Sequence, residues 1–515
     1  MNDSAPPHES KLATLSAEQP LGPIVAEAGF DITYFVTSAS WTNVRTRARS
    51  IVIGRKGTGK TAIRLALQSA DVGVLGSVHT ASLSFADYPW KAHYRVADGD
   101  VASRSRYKET WSFLLLVELA KLVVRHPEKT VGRSKRAAKR RLRRFLKQNW
   151  GGVSADYKRT LTNERTRVVS AELRPEFMSS GLGGVTWGKV KIENLGPHLR
   201  QTNEWLRGNI AAAFGSGQEY FVVLDDLDVD FESMSGDYTD SIIGLVLAVS
   251  GLHAWCEESS LPAHLVAVLR DDIYDRLQFH DKNKITTQRV ERIRWETDEQ
   301  AENSLLTVLN RRIEHALDLK DIPSPFAVVF DSELMRGKQS KYAHMAQRTY
   351  LRPRDLLQFA NECISVARAD GRFSESDRVA NKDVTTARTS YSNYLRRELA
   401  DEIHPHFPDW ERWLEVLKQM GYMAFDHASF ESARSHLGNA AGTDSSGTML
   451  DGLYRFGIIG FSRLGGRGSG GSGLVWSYQN PDTDLDTKAK YYAVHPGLKE
   501  NLELREGSQF ESTSA

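Results

Sequence analysis

The chain has 515 residues, 40% of them hydrophobic and 26% charged, with a formal net charge of +2. That length exceeds one compact domain and suggests about two to four, and the composition is that of an ordinary folded protein. The balanced charge excludes a global field that demands a polyanion, leaving only local basic patches, and two distant cysteines, Cys256 and Cys363, exclude a disulfide framework and favour a reducing compartment.

The longest apolar run, 242–249 with Gly244 inside it, falls short of a membrane span. The N-terminus lacks the basic and apolar regions of a signal peptide. The expectation is a cytoplasmic protein without a membrane partner. Residues 1–29, rich in Ser, Pro, Ala and Glu, read as a flexible leader, with ordered chain from Phe30. Tyr34, Phe35 and Trp41 precede the first strand, where they serve either a nucleotide base or simple core packing.

Residues 50–53 read as a short apolar strand. They run into Gly54-Arg55-Lys56-Gly57-Thr58-Gly59-Lys60-Thr61, followed by a helix opening at Thr61-Ala62. This is G-x-x-x-x-G-K-[ST] in its required strand–loop–helix setting. A chain of this length shows the pattern by accident about 2% of the time. Glycines 54, 57 and 59 let the chain curl with several N–H groups pointing inward. Those donors and the helix N-terminus favour a phosphate. Lys60 is then expected over the β- and γ-phosphates of ATP, and the Thr61 hydroxyl on Mg²⁺.

Next comes a strand over 78–85, then a helix over 107–124 with Trp111, Leu115, Leu119 and Leu122 on one face. Residues 129–155 contain no Asp or Glu. Within them lie Arg133, Lys135, Arg136, Lys139, Arg140, Arg141, Arg143, Arg144 and Lys147. Ala138, Leu142, Phe145 and Leu146 make a narrow apolar stripe, so the spacing predicts a docked helix with cationic outer faces. It could meet DNA or RNA phosphates without reading sequence, or be a solvated face, or face an acidic partner. The middle of 150–216 has no firm assignment beyond turns at Gly181, Gly183 and Gly184 and a helix over 199–214.

Residues 220–225 are strong strand formers that end in Asp225, Asp226 and Asp228. This is a buried parallel strand of Walker B type. Asp225 is expected to hold Mg²⁺ and Asp226 to orient and polarise the attacking water. A helix over 238–255 follows. A buried strand over 263–270 then closes on Arg270, at the edge where doubly wound sheets bind ligands. Arg270 there either senses the γ-phosphate or pairs with Asp271 or Asp272. Residues 292–295 read as the last strand of the sheet.

The series of phosphate loop, Asp-Asp strand, Arg-ended strand and Leu351-Arg352-Pro353-Arg354-Asp355 resembles the AAA+ and STAND branch of P-loop ATPases. Within that branch it looks like the bacterial FunZ-like ATPases, over about residues 30–359. The resemblance implies an α/β core of five parallel strands in order 5-1-4-3-2, with a helical lid and ATP held between core and lid. It matches Asp225 and Asp226 to the family's acidic pair, Arg270 to the arginine closing the fourth strand, and Arg354 to the sensor-2 arginine. The chain departs from the pattern in its long insertion between Lys60 and Asp225. Self-association is implied by the family; Arg289 and Arg292 are the candidates for a finger acting in trans.

Beyond the lid, helices are expected over 410–420, 430–437 and 449–456. Strands follow over 457–462, 474–478 and 491–495, with a glycine-rich tip at 465–473. Helices followed by a hairpin resemble a winged helix, and Arg463 and Arg467 could touch a phosphate backbone. The expected domains are a leader (1–29), an ATPase core (30–300, with a basic insertion over about 125–200), a lid (301–384) and a winged-helix-like domain (385–515). The expected function is an ATPase switch in a bacterial defence or signalling assembly, with Asp226, Lys60, Arg270 and Arg354 catalytic, residues 54–62 on the nucleotide, and Thr61 with Asp225 on the metal. A DNA-binding initiator- or loader-like ATPase and a non-hydrolysing nucleotide-sensing scaffold stand as alternatives.

Overall fold

The computed structural model describes residues 12–15, 18–69, 76–86, 88–96, 103–126, 132–160, 165–169, 187–191, 196–215, 217–228, 236–371, 377–463 and 473–509. The start of the expected leader, the turns at Gly181, Gly183 and Gly184, and the tip over 464–472 with Arg467 lie outside them. The chain divides into two compact units. Thr37–Arg55 with Lys60–Ile293 form a sheet unit; Met1–Val36, Lys56–Gly59 and Arg294–Ala515 form a helical unit.

The sheet unit carries β1 (Ile51–Ile53), β2 (Ser77–Ser84), a separate ribbon of β3 (Arg165–Val169) and β4 (Trp187–Lys191), then β5 (Gln218–Asp225), β6 (Ala263–Leu269) and β7 (Val290–Arg292). The main sheet runs β2-β5-β6-β1-β7, all parallel. Numbering those five strands along the chain gives 5-1-4-3-2, the expected order. Every residue of β6, and all of β5 except Gln218, is buried. That is why both strands read as continuous apolar runs rather than as alternating ones. The last strand sits at 290–292, not 292–295. Among the described residues it pairs only with the three-residue β1, Ile51 opposite Val290 and Ile53 opposite Arg292, so the ladder ends where its partner ends.

Helices Ser103–Arg125 and Gly236–Glu258 cross closely beside this sheet. A Cβ on Gly244 would lie 2.4 Å from Tyr107 Cβ and 2.9 Å from the Lys108 amide nitrogen. The Gly236–Glu258 helix is long and apolar enough to cross a membrane, although residues 242–249 alone are not. Its Ile242, Ile243, Leu245, Val246 and Val249 are all fully buried in the unit's own core, which accounts for the apolar character.

The helical unit is built on Leu305–Leu317, Pro353–Ala369 and Asn381–Ile403. Part of the expected leader is ordered here. Leu12, Leu15 and Leu21 are buried, the Leu21 amide donates to Asn361 Oδ1 at 2.8 Å, and Arg368 Nη1 donates to the Leu12 carbonyl. Three isolated leucines have no period, so their burial left no pattern in the sequence.

The C-terminal sheet has five strands, β8 (Tyr422–Phe425), β9 (Ile459–Arg463), β10 (Gly473–Val475), β11 (Tyr492–Val494) and β12 (Arg505–Gln509), in order β10-β9-β11-β8-β12. The expected hairpin is there, with Arg463 opposite Gly473. Strands β8 and β12 were not expected. The first is four residues long and starts straight after the left-handed Gly421 cap; the second is mostly polar. Neither shows alternation. The 384/385 boundary falls inside the Asn381–Ile403 helix, and both sides share one core, with Tyr391 stacked on Phe359 at 4.3 Å. A continuous helix with a buried face leaves no linker there.

Candidate nucleotide site

Register fixes what meets at the carboxyl edge of the main sheet. Ile53 lies opposite Leu269, and Leu224 opposite Ala267, so Asp226 stands level with Leu269 and Ile53. Gly54 and Arg270 therefore leave their strands level with each other, one residue beyond the height of Asp226. The Gly54 amide donates to the Leu269 carbonyl at 3.4 Å. This is the edge at which a parallel sheet presents ligand-binding groups.

The loop turns through Gly57 (φ 84°) and Gly59 (φ 99°), a region that L side chains rarely adopt. Lys60 opens the helix Lys60–Ser69 and curls back over the loop. Its Nζ donates to the Gly54 carbonyl at 2.7 Å and the Arg55 carbonyl at 2.8 Å. Burial pushes the Lys60 ammonium below the usual lysine range, against the opposing pull of Asp271, Asp228 and Asp225. Thr61 and Ala62 are part-buried on the first turn.

Asp225 is buried at the end of β5. Its Oδ2 accepts from Arg64 Nε at 2.9 Å, and its Oδ1 from the Asp226 amide at 3.0 Å. Burial, then the neighbouring Asp226, raises its carboxyl above the usual range, while Arg64 opposes the shift. Thr61 sits one turn before Arg64 on the same helix face, the face that reaches Asp225. Asp226 is itself left-handed, φ 59°, and its Oδ2 accepts from Ser84 Oγ at 2.5 Å. An aspartate held in that region stores strain, of order 1–3 kcal/mol.

Arg270 forms a two-pronged pair with Asp272, at 2.9 and 2.7 Å, and lies 3.5 Å from Asp228. Arg289 pairs with Glu257 at 2.7 Å; Arg292 pairs with Asp275 at 2.7 Å and lies 3.5 Å from Asp271. Burial, then Asp272, raises the Asp271 carboxyl.

Within the helical unit, the loop residues 56–59 are held at several points. Lys56 Nζ is paired with Asp401 and lies 3.6 Å from Glu398. The Lys56 carbonyl accepts from Arg352 Nη1 at 3.1 Å, and the Thr58 carbonyl from Trp295 Nε1 at 2.9 Å. A Cβ on Gly57 would lie 3.1 Å from Arg354 Cβ. Arg354 Nη1 donates to Glu398 Oε2 at 3.1 Å, and its Nε is buried without a hydrogen-bond partner among the described residues. Arg352 is buried between Asp355 and Glu402, just after a left-handed Leu351. Tyr34, an aromatic considered for the base, lies under the Arg312 guanidinium at 3.9 Å and beside His315, in this unit's own packing.

Sequence reasoning missed Arg64, Ser84, Trp295, Arg352 and the acids Glu398, Asp401 and Glu402. Only Arg64 left a signal, one helical turn beyond Lys60. The others are brought to the loop and to Asp226 by tertiary contacts between distant segments.

Residues 303–400 match the family model of the FunZ-associated C-terminal helical domain. No curated protein matches the chain. Among solved structures, the chain aligns with the Orc1 protein of Aeropyrum pernix in complex with DNA at 14% identity, covering 96% of each chain, with a TM-score of 0.31. It also aligns with Cdc6p of Pyrobaculum aerophilum at 12% identity, covering 90% of this chain and 88% of that one, with a TM-score of 0.27. Scores that low carry no argument, so the sheet order given above rests on this chain's own strand pairing. The matched segment takes in the Pro353–Ala369 helix and most of the Asn381–Ile403 helix, which hold Arg354 and Glu398.

Proposed function

We propose that the chain binds and hydrolyses ATP and works as a nucleotide-dependent switch of the FunZ-like kind, assembling in a bacterial defence or signalling complex. The observation that carries this reading is one juxtaposition. Lys60 curls over its glycine loop, Arg64 of the same helix grips Asp225, and Asp226 stands beside it.

The donor set suits a magnesium-bound triphosphate. Two left-handed glycines shape the loop, Arg354 keeps a buried N–H without a partner among the described residues, and a hydroxyl and a carboxylate suit a hard cation. Residues 54–62 would hold the phosphates through backbone N–H groups and the Lys60 ammonium. Thr61 and Asp225 would hold Mg²⁺, which when bound neutralises charge on the phosphate oxygens. Asp226 has Oδ2 fixed by Ser84, leaving Oδ1 to orient a water and take its proton. Arg270 and Arg354 are held by Asp272 and Glu398; exchange of those carboxylates for phosphate oxygens makes each respond to triphosphate and diphosphate differently.

The test is calorimetry with phosphate-release assays. Lys60→Ala should weaken ATP binding by roughly 10- to 100-fold, the worth of a charged hydrogen-bonding group. Asp226→Asn should keep ATP and stop phosphate release. Unaltered affinity in the first removes the loop assignment, and unaltered release in the second moves the base elsewhere. ATP bound by the native chain without any release selects the non-hydrolysing scaffold.

The second reading is an initiator- or loader-like ATPase that engages DNA. It is favoured by the C-terminal order of helix Glu411–Met420, β8, helices His427–Leu437 and Ser446–Arg455, then the β9/β10 hairpin ending at Arg463. That order is winged-helix-like. Phosphate release that responds to duplex DNA selects this reading.

A further inference from the structure

The insertion between β2 and β5 contains two basic elements that the nucleotide site does not use. The first is the helix Arg133–Trp150. Its Ala138, Leu142, Phe145 and Leu146 are buried in the sheet unit's core. Opposite that seam, Arg133, Arg136, Arg140, Arg143, Arg144 and Lys147 are exposed and pair with no carboxylate among the described residues. At 100° per residue the six fall within an arc of about 100°. They span about 21 Å of helix axis, so successive charges lie about 4.2 Å apart along it on average, comparable to the axial spacing of phosphates along one strand of a duplex, about 3.4 Å. Arg141, about 60° outside the arc, donates to the neutral Asn209.

The second element is the β3/β4 ribbon, whose β3 packs against both this helix and the Gly196–Ala213 helix. Its register places Arg165 opposite Lys191 and Arg167 opposite Lys189. Positions two apart share a face of a strand, so these four cationic positions lie on one face.

We propose that the basic helix and the ribbon form a docking surface for the sugar-phosphate backbone of duplex DNA. The apolar seam of the helix is already buried, so the helix cannot insert into a membrane as an amphipathic anchor. Its aromatics, Phe145 and Trp150, are buried too, so it offers no stacking platform for single-stranded bases. A helix or a two-stranded ribbon fits the major groove of B-DNA but not that of A-form RNA. Binding through phosphates alone is independent of sequence. This surface shares no residue with the phosphate loop, and the inference stands whether or not the chain hydrolyses nucleotide.

The test uses the full chain and a fluorescein-labelled 20-base-pair duplex, titrated by anisotropy across a potassium chloride series. Binding should weaken linearly on a log–log plot. The triple variant Arg140→Ala, Arg143→Ala, Arg144→Ala should flatten the slope by about 2.7, at about 0.9 for each phosphate no longer neutralised. These side chains are exposed, so the variant should fold, as checked by circular dichroism. The ribbon variant Arg165→Ala with Lys189→Ala should flatten the slope by about 1.8 on the same count. A scrambled duplex should bind as tightly as the original. The proposal is overturned by no duplex binding, by an unchanged slope in the triple variant, or by tighter binding to oligo-dT, to duplex RNA or to phosphatidylserine vesicles.

Discussion

At its buried strand end, the Asp225 carboxyl is raised above the usual range by burial, and Arg64 opposes that shift. The two side chains are 5% and 12% exposed, so water screens the pair poorly. Removing one partner leaves an uncompensated buried charge, which costs about 3–5 kcal/mol. Arg64→Leu is therefore expected to lower stability by about 3 kcal/mol in denaturant unfolding. Adding Asp225→Asn should restore most of it, because the orphaned charge is gone. A single variant as stable as the native chain would show that Asp225 does not depend on Arg64. The pair also has a bearing on function: Arg64 occupies Oδ2 of the carboxylate proposed for the metal, so the arginine holds the metal ligand in place and competes for it.

At the level of elements, the Asn381–Ile403 helix presents Glu398, Asp401 and Glu402 at i, i+3 and i+4, on one face. Glu398 holds Arg354, Asp401 holds Lys56 and Glu402 holds Arg352. One helix thus restrains the loop residue Lys56 and both arginines around Pro353. Glu398→Gln should free Arg354 for phosphate and tighten ATP binding roughly two- to fivefold, the worth of a partly exposed ion pair. Calorimetry reads this directly, and weaker binding would mean that Glu398 positions Arg354 rather than restraining it. A different constraint governs the Gly236–Glu258 helix. Gly244→Ala would force a methyl to within 2.4 Å of Tyr107 Cβ, against backbone that cannot swing away. The expected cost is about 1–3 kcal/mol, seen as a lower midpoint of thermal unfolding. An unchanged midpoint would mean that the two helices separate readily.

For the whole molecule, three buried histidines set the response to acid. Burial pushes His93, His264 and His344 down to about 3 from the ordinary 6.5. His264 Nε2 is within hydrogen-bonding distance of the Arg49 carbonyl at 2.7 Å, and neither ring nitrogen of His344 has a hydrogen-bond partner among the described residues. Each is neutral in the folded chain and free to protonate once unfolded. Below pH 6.5 the unfolded state binds more protons, so stability falls as pH falls, down to about 3. Each histidine contributes a slope of about 1.4 kcal/mol per pH unit in that window. Unfolding midpoints at pH 7.5, 6 and 5 should stay level above 7 and drop steeply below 6. A level profile down to pH 5 would mean that these rings protonate without unfolding.

Much of the sheet unit was legible in the sequence. Residues 54–61 form a local motif whose glycines and lysine act within one turn of chain. Strands β5 and β6 announce themselves because burial on both faces demands unbroken apolar runs, and the basic helix shows its seam at helical spacing. Local geometry imposes such patterns on local sequence, so reading along the chain recovers them. Arg64 on Asp225, Ser84 on Asp226, Glu398 on Arg354 and the burial of Leu12, Leu15 and Leu21 are of another kind. Each joins residues that no period links, and for the paired acids and arginines many other partners of the same charge were available. Arg165 opposite Lys191 belongs with them, because two strands so far apart in the sequence share no common rhythm. Charge type and spacing on their own told which residues could hold a phosphate; only the folded chain chose which carboxylate restrains which cation, because that choice depends on distance in space.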